Sequence, residues 1–167
     1  VNIILPVVSV TFESDVATVE WVVTVYLLLV SGLLLSFGRL GDLRGHKLVY
    51  LAGFGVFIAS SVLCGFAPTV VVLIAARALQ SLGAAMRLAN SPAILIKNFP
   101  AKQRGQALGL QATMTYLGLT VGPSLGGWLT SHYGWRSVFY INIPVGLLAL
   151  LLSFYFIPWD AAGERHE

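Results

Sequence analysis

Gly118-Leu119-Thr120-Val121-Gly122-Pro123-Ser124-Leu125-Gly126-Gly127 lies inside a stretch too apolar to be a soluble loop. Gly118, Gly122 and Gly126 recur at four-residue spacing. On a helix, that spacing leaves one side free of side chains and lets a second helix approach closely. Pro123 removes a backbone hydrogen bond and bends the helix that contains it. Glycines at this spacing also suit an ordinary packing seam, so they do not define a function by themselves. A bent, close-packing helix among other long apolar segments is what a membrane protein needs if it moves as it works.

The rest of the chain supplies those segments. Of 167 residues, 57% are hydrophobic and 10% charged, and the mean hydropathy is +0.83. Such a chain has too little charge to cover a soluble core. Its apolar residues come in long blocks rather than narrow stripes. The net charge of +3 does not point to a nucleic-acid partner. The basic residues fall mostly in short gaps between apolar blocks, as they do in loops that stay on the cytoplasmic side of a membrane. Cys64 is the single cysteine and lies within an apolar block, so it reads as a packing residue, with no disulfide and no cysteine metal site. His46, His132 and His166 have no metal-ligand spacing. No Walker-type phosphate loop is present, which argues against ATP as the energy source. Paired carboxylates, a nucleophile with its base, or clustered ligands would indicate an enzyme, and none is found. No cofactor is expected.

A bilayer crossing takes about 20 helical residues. The sequence predicts a partial span at Val1–Val10, then full spans at Trp21–Leu40, Leu48–Phe66, Val70–Ile96, Gln106–Ser131 and Val138–Ile157. The segment from Pro158 to Glu167 reads as the start of a cytoplasmic linker. Arg39, Arg44 and Lys47 cluster in one gap, and Lys97, Lys102 and Arg104 in another. The remaining gaps contain Arg136 as their one Lys or Arg. By the positive-inside rule the two basic gaps face the cytoplasm. Trp21, Trp128, Trp135 and Trp159 all fall near span ends, where indole rings favour the membrane interface.

Two regions place polar groups where they are costly. At roughly 100° per residue, Arg77, Gln80, Ser81, Ala84, Arg87 and Ser91 share one helix face about 120° wide. An arginine near the bilayer centre costs about 2.5–3.5 kcal/mol on insertion scales. This face is therefore expected to line a cavity or meet other helices. The second region is Gly38-Arg39-Leu40-Gly41-Asp42-Leu43-Arg44-Gly45-His46-Lys47. Its glycines permit a tight reversal. Asp42 can pair with the neighbouring cations or accept from a helix N-terminus. By charge alone the region reads as a solvated connector.

The spacing of this second region resembles the loop signature of the major facilitator superfamily, G-x-x-x-D-x-x-G-x-[KR]. Leu43 and His46 stand where that signature often has arginine. Arg77 to Met86 resembles the family's R-x-x-Q-G-x-G-A-A, with Ser81 in place of the first glycine. Gly118 to Gly127 matches its antiporter pattern G-x-x-x-G-P-x-x-G-G. Trp135 to Gly146 resembles W-R-x-x-F-x-I-N-x-P-x-G of the drug:proton antiporters with fourteen spans. Asn2, Ile4 and Pro6 resemble the end of a first-span motif.

The resemblance implies an all-α, polytopic transmembrane bundle: the N-terminal six-helix half of a major facilitator fold, with its first helix truncated and a C-terminal half needed for function. It implies proton-coupled efflux of small molecules, including amphipathic drugs, by alternating access across a bacterial-type plasma membrane. An uptake symporter of the same superfamily and a non-transporting receptor are the alternatives. Arg77 is expected to couple protons, and Gly38, Asp42, Arg44, Gly45 and Lys47 to form a cytoplasmic latch. Gly118, Gly122, Pro123, Gly126 and Gly127 would form a seam between helices. Gln80, Arg87, Asn90, Gln111 and Thr115 are candidates for the substrate cavity. Protons, a small-molecule substrate and the lipid bilayer are the expected partners.

Overall fold

A computed structural model describes residues 4–159. All of the regular structure among them is helical: α1 (Leu5–Phe12), α2 (Val16–Arg44), α3 (His46–Gly65), α4 (Val70–Asn98), α5 (Ala101–Tyr133), α6 (Ser137–Tyr140) and α7 (Asn142–Phe156). The expected linker residues 160–167, and Asn2 of the first-span motif, lie outside the described residues.

The punctuation between helices is local chemistry. Gly45 alone separates α2 from α3, at φ 96 and ψ 129. A side chain rarely tolerates that backbone conformation. Thr69 begins α4 by accepting a hydrogen bond from the Val72 amide at 3.3 Å. Pro100 precedes α5, and Gly134, at φ 85, ends it. α6 and α7 form one continuous stretch, because Ile141 between them keeps a helical backbone at φ −63 and ψ −25. Among the described residues, four helical stretches are long and apolar enough to cross a membrane: Val16–Arg44, His46–Gly65, Val70–Asn98 and Ser137–Phe156. The expected fifth span lies within α5, which is helical for 33 residues. Gln106, Gln111, the threonines at 113, 115 and 120, and its many glycines dilute its hydropathy.

α4 is the central helix and packs mainly against α3 and α2. At the α3–α4 crossing the two backbones meet directly. A Cβ added at Gly83 would lie 2.6 Å from the Gly53 carbonyl oxygen and 2.6 Å from the Phe57 amide nitrogen. Close approach of this kind is how helices gain van der Waals contact where surrounding lipid removes the hydrophobic drive. At the Pro68 end, Ile4, Val8, Val19, Val22, Cys64, Leu73 and Phe139 form a shared apolar core. Cys64 is fully buried there, as a packing residue should be. Trp135 belongs to this core too, with its ring edge-on to Phe12 at 5.5 Å. It is an internal anchor, unlike Trp21, Trp128 and Trp159, which are exposed. Large apolar side chains are exposed along α2, α5 and α7, surfaces that hydrocarbon would cover.

Candidate functional site

The polar groups of α4 do not form one cluster. They divide among three places.

The first surrounds Arg77. Its Nε donates to the Val22 carbonyl of α2 at 3.1 Å, and its Nη1 donates to Gln80 Oε1. The guanidinium carbon lies 3.9 Å from the centre of the Tyr26 ring, a cation–π distance. Gln80 passes the connection on, its Nε2 donating to Ser61 Oγ at 2.8 Å. Ser61 in turn donates to the Phe57 carbonyl at 2.7 Å. Arg77, Gln80 and Ser61 are all buried. The chain of bonds therefore binds α4 to α2 through Arg77 and to α3 through Gln80. Among the described residues no carboxylate lies within ion-pair distance of Arg77. Arg77, Gln80 and Tyr26 line a cavity of about 320 Å³ that also touches Gly122 and Gly126 of α5 and Asn142 of α7.

The second place belongs to Arg87. Its guanidinium carbon lies 4.1 Å from the centre of the Phe57 ring and 4.8 Å from that of Phe54. Its Nε is buried without a hydrogen-bond partner. Arg87 is not among the residues lining the Arg77 cavity.

The third place is the α2–α3 junction, and Asn90 belongs to it. Asn90 donates through Nδ2 to the Met86 carbonyl at 2.8 Å and the Phe37 carbonyl at 3.1 Å. Its Oδ1 lies 2.7 Å from His46 Nδ1. On the other side of the ring, His46 Nε2 lies 3.2 Å from Asp42 Oδ1. Gly41 is buried against this group because a Cβ there would overlap Asn90 Oδ1. Arg44 and Asp42 are exposed, and Gly38 faces open space. Lys47 is only 2% exposed, a departure from a solvated connector. Its Nζ donates to the carbonyls of Phe154 at 2.9 Å and Ile157 at 2.6 Å, at the end of α7. It also lies 4.0 Å from the centre of the Trp159 ring. A lysine at a helix C-terminus meets carbonyls that have no partner in the helix, and it meets the negative end of the helix dipole.

Of the expected cavity residues, Gln80 alone lines the Arg77 cavity. Arg87 lies against the phenylalanines of α3 and Asn90 at the junction, because adjacent turns of α4 face different neighbours. Gln111 bridges α5 to α4, donating to Ser91 Oγ at 2.7 Å. Thr115 is exposed and donates to the Gln111 carbonyl of its own helix. Gly118, Gly122 and Gly126 have nothing within 4 Å of an added Cβ, and Pro123 is exposed beside them. Gly127 is half-buried. Among the described residues the tight glycine contacts are made instead at Gly41, Gly53, Gly65, Gly83 and Gly146. The residues after α5 fasten the Pro68 end of the bundle. Arg136 Nη2 donates to the Ala67 carbonyl at 3.0 Å, and the Tyr140 hydroxyl to the Gly65 carbonyl at 2.9 Å. No three His, Cys, Asp or Glu side chains gather as metal ligands among the described residues.

A bundle of long apolar helices with an arginine and its partners buried inside it is a polytopic membrane protein. Residues 1–166 match the Major Facilitator Superfamily, and the chain belongs to that family. It is 36% identical to the riboflavin transporter RibZ of Clostridioides difficile over 99% of this chain and 36% of that protein. It is 39% identical to the multidrug resistance protein Stp of Mycobacterium tuberculosis, over 99% of this chain and 31% of Stp. It is 33% identical to the tetracenomycin C resistance and export protein of Streptomyces glaucescens, over 96% of this chain and 30% of that protein. The chain spans about a third of the length of these relatives. They are transport and resistance proteins, in line with the expectation that the chain is not an enzyme.

Proposed function

We propose that the full-length protein exports small amphipathic molecules in exchange for protons, with this chain as one half of an alternating-access transporter in the plasma membrane. The observation that carries the reading is the group of buried Arg77 and Gln80 with Tyr26, lining a cavity that Gly122 and Gly126 also line. An arginine bonded only to neutral oxygens and a ring face is poised to respond to a carboxylate or anion that comes near it. Protonating that partner would weaken the attraction and let the cavity reorganise. Gly122 and Gly126 would allow α5 to approach another helix as the halves rock. Asp42 and its neighbours would hold the α2–α3 end closed in one state. The multidrug resistance and export relatives support this direction and substrate class.

A test is dye or drug movement in proteoliposomes of the full-length protein under an imposed proton gradient. Substrate leaving in exchange for entering protons is expected. Substrate accumulating together with entering protons would make the protein an uptake symporter and overturn the proposal. Similarity to a riboflavin transporter favours a second reading, in which one planar metabolite is the physiological cargo. Competition between riboflavin and unrelated amphipathic cations separates the two: a single-metabolite carrier ignores the cations.

A further inference from the structure

At the α2–α3 junction, the direction of one amide group fixes where the His46 ring carries a hydrogen. Asn90 Nδ2 is committed to the Met86 and Phe37 carbonyls, at 2.8 and 3.1 Å. The atom of Asn90 facing His46 Nδ1 at 2.7 Å is therefore its carbonyl oxygen, Oδ1. That oxygen can only accept, so Nδ1 carries a hydrogen. In a neutral ring with its hydrogen on Nδ1, Nε2 bears a lone pair. Yet Nε2 lies 3.2 Å from Asp42 Oδ1, which is also an acceptor when ionised. Two acceptors at that distance require a proton between them, whether it is held by the ring or by the carboxylate.

We propose that His46 Nε2 and Asp42 Oδ1 jointly bind one exchangeable proton, and that losing it frees the last turn of α2 from α3. The ring end of the pair is buried and the carboxylate end is open, with side-chain exposures of 7% and 71%. Protons can thus reach the pair from water while the imidazole stays fixed by Asn90.

The other charged and titratable groups of the packed helices are exposed or in contact with other residues. On α2, Arg39 and Arg44 are exposed, and Tyr26 lies under Arg77. On α3, Lys47 is bonded to α7, and the Tyr50 ring meets Phe54. On α4, Arg77 is bonded to Val22 and Gln80, Arg87 lies between Phe54 and Phe57, and Lys97 is exposed. Among the described residues, Asp42 is the one that forms an ion-pair contact with the ring. The contact is present while the proton is bound and is lost as pH rises. Acid on this side of the membrane therefore closes the junction, and alkali loosens it. Gly41 is part of the device, since a Cβ there would lie 2.5 Å from His46 Nδ1.

The proposal builds on the latch reading of this junction, but its test reads the proton and the junction rather than transport. It can fail while export stands, and hold if export fails. Full-length protein labelled with ¹⁵N-histidine in lipid nanodiscs is titrated from about pH 5 to 8, where imidazoles commonly change charge. The His46 signals are identified by their loss in His46→Gln. Hydrogen exchange of the peptide covering Gly38 to Lys47, corrected for the intrinsic pH dependence of exchange, reports the junction. As the proton leaves Nε2, exchange is expected to rise about two- to five-fold, the range for a pair with one exposed partner. Asp42→Asn removes an exposed carboxylate and is expected to give a flat, fast profile. His46→Arg keeps a cation at all pH and is expected to give a flat, slow one. A ring with one hydrogen throughout the range, and no accompanying proton on Asp42 in its carboxyl ¹³C signal, would overturn the proposal. So would a wild-type pH profile in Asp42→Asn.

Discussion

Arg77 spends its donors on a peptide carbonyl, an amide oxygen and a tyrosine face. Lysine, with one compact ammonium on a flexible stem, cannot meet those partners in the same geometry. Arg77→Ala in the full-length protein is therefore expected to abolish proton-driven export with insertion unchanged, and Arg77→Lys to reduce it about ten-fold or more. Initial rates of substrate efflux, normalised to protein in the membrane fraction, check both. Normal efflux by the alanine variant would remove Arg77 from the mechanism. Gln80→Leu cuts the connection to Ser61 and leaves Arg77 one acceptor fewer, a loss of about 1–3 kcal/mol for buried polar groups. A lowered unfolding midpoint in detergent would record it. The special character of Arg77 and Gln80 was legible in the sequence, because polar residues inside an apolar block stand out. Their partners Val22 and Ser61 were not, since a backbone carbonyl has no sequence signature and a serine is too common to single out.

Two sets of glycines separate the tasks of helices. Gly53 and Gly83 hold α3 and α4 backbone to backbone, whereas Gly118, Gly122 and Gly126 on α5 meet nothing among the described residues. Gly83→Val should thus harm assembly of the bundle itself, by about 1–3 kcal/mol for an overpacked contact. Gly122→Leu should leave the bundle folded and slow transport. Thermal unfolding and efflux of the two variants, measured side by side, test the division; equal losses of stability would refute it. The pattern around Gly118 was readable because its glycines recur within one helix. The Gly53–Gly83 contact was hidden because each glycine is isolated in its own segment, and only the crossing of α3 and α4 brings them together. Apolar block length, in turn, located most of the helices.

At the scale of the molecule, one end of the bundle is closed by Trp135, Arg136 and Tyr140, and the other by Lys47 and the His46 group. The charge pattern expects Lys47 and Lys102 on the same side of the bilayer and Glu13 on the opposite one. Cysteines introduced in place of Glu13, Arg44 and Lys102, labelled with a reagent that cannot cross membranes, should report that arrangement. Modification of Arg44→Cys and Lys102→Cys from opposite sides would refute it. The spacing of basic gaps carries this expectation. The burial of Lys47 was not legible in the sequence, because a cation in a short connector reads as solvated until α7, more than a hundred residues later, supplies its acceptors. Lys47→Met is expected to weaken that end of α7 by about 0.3–1 kcal/mol or more, visible as faster proteolysis near Trp159.

Gly45 is the single residue between α2 and α3, where a hinge would have to act, and the second residue after it is bonded to the chain leaving α7. A rotation about that hinge cannot stay local. It pulls on Phe154 and Ile157 in the same movement, so the segment following the bundle would sense the state of the hinge mechanically, without any ligand having to touch it.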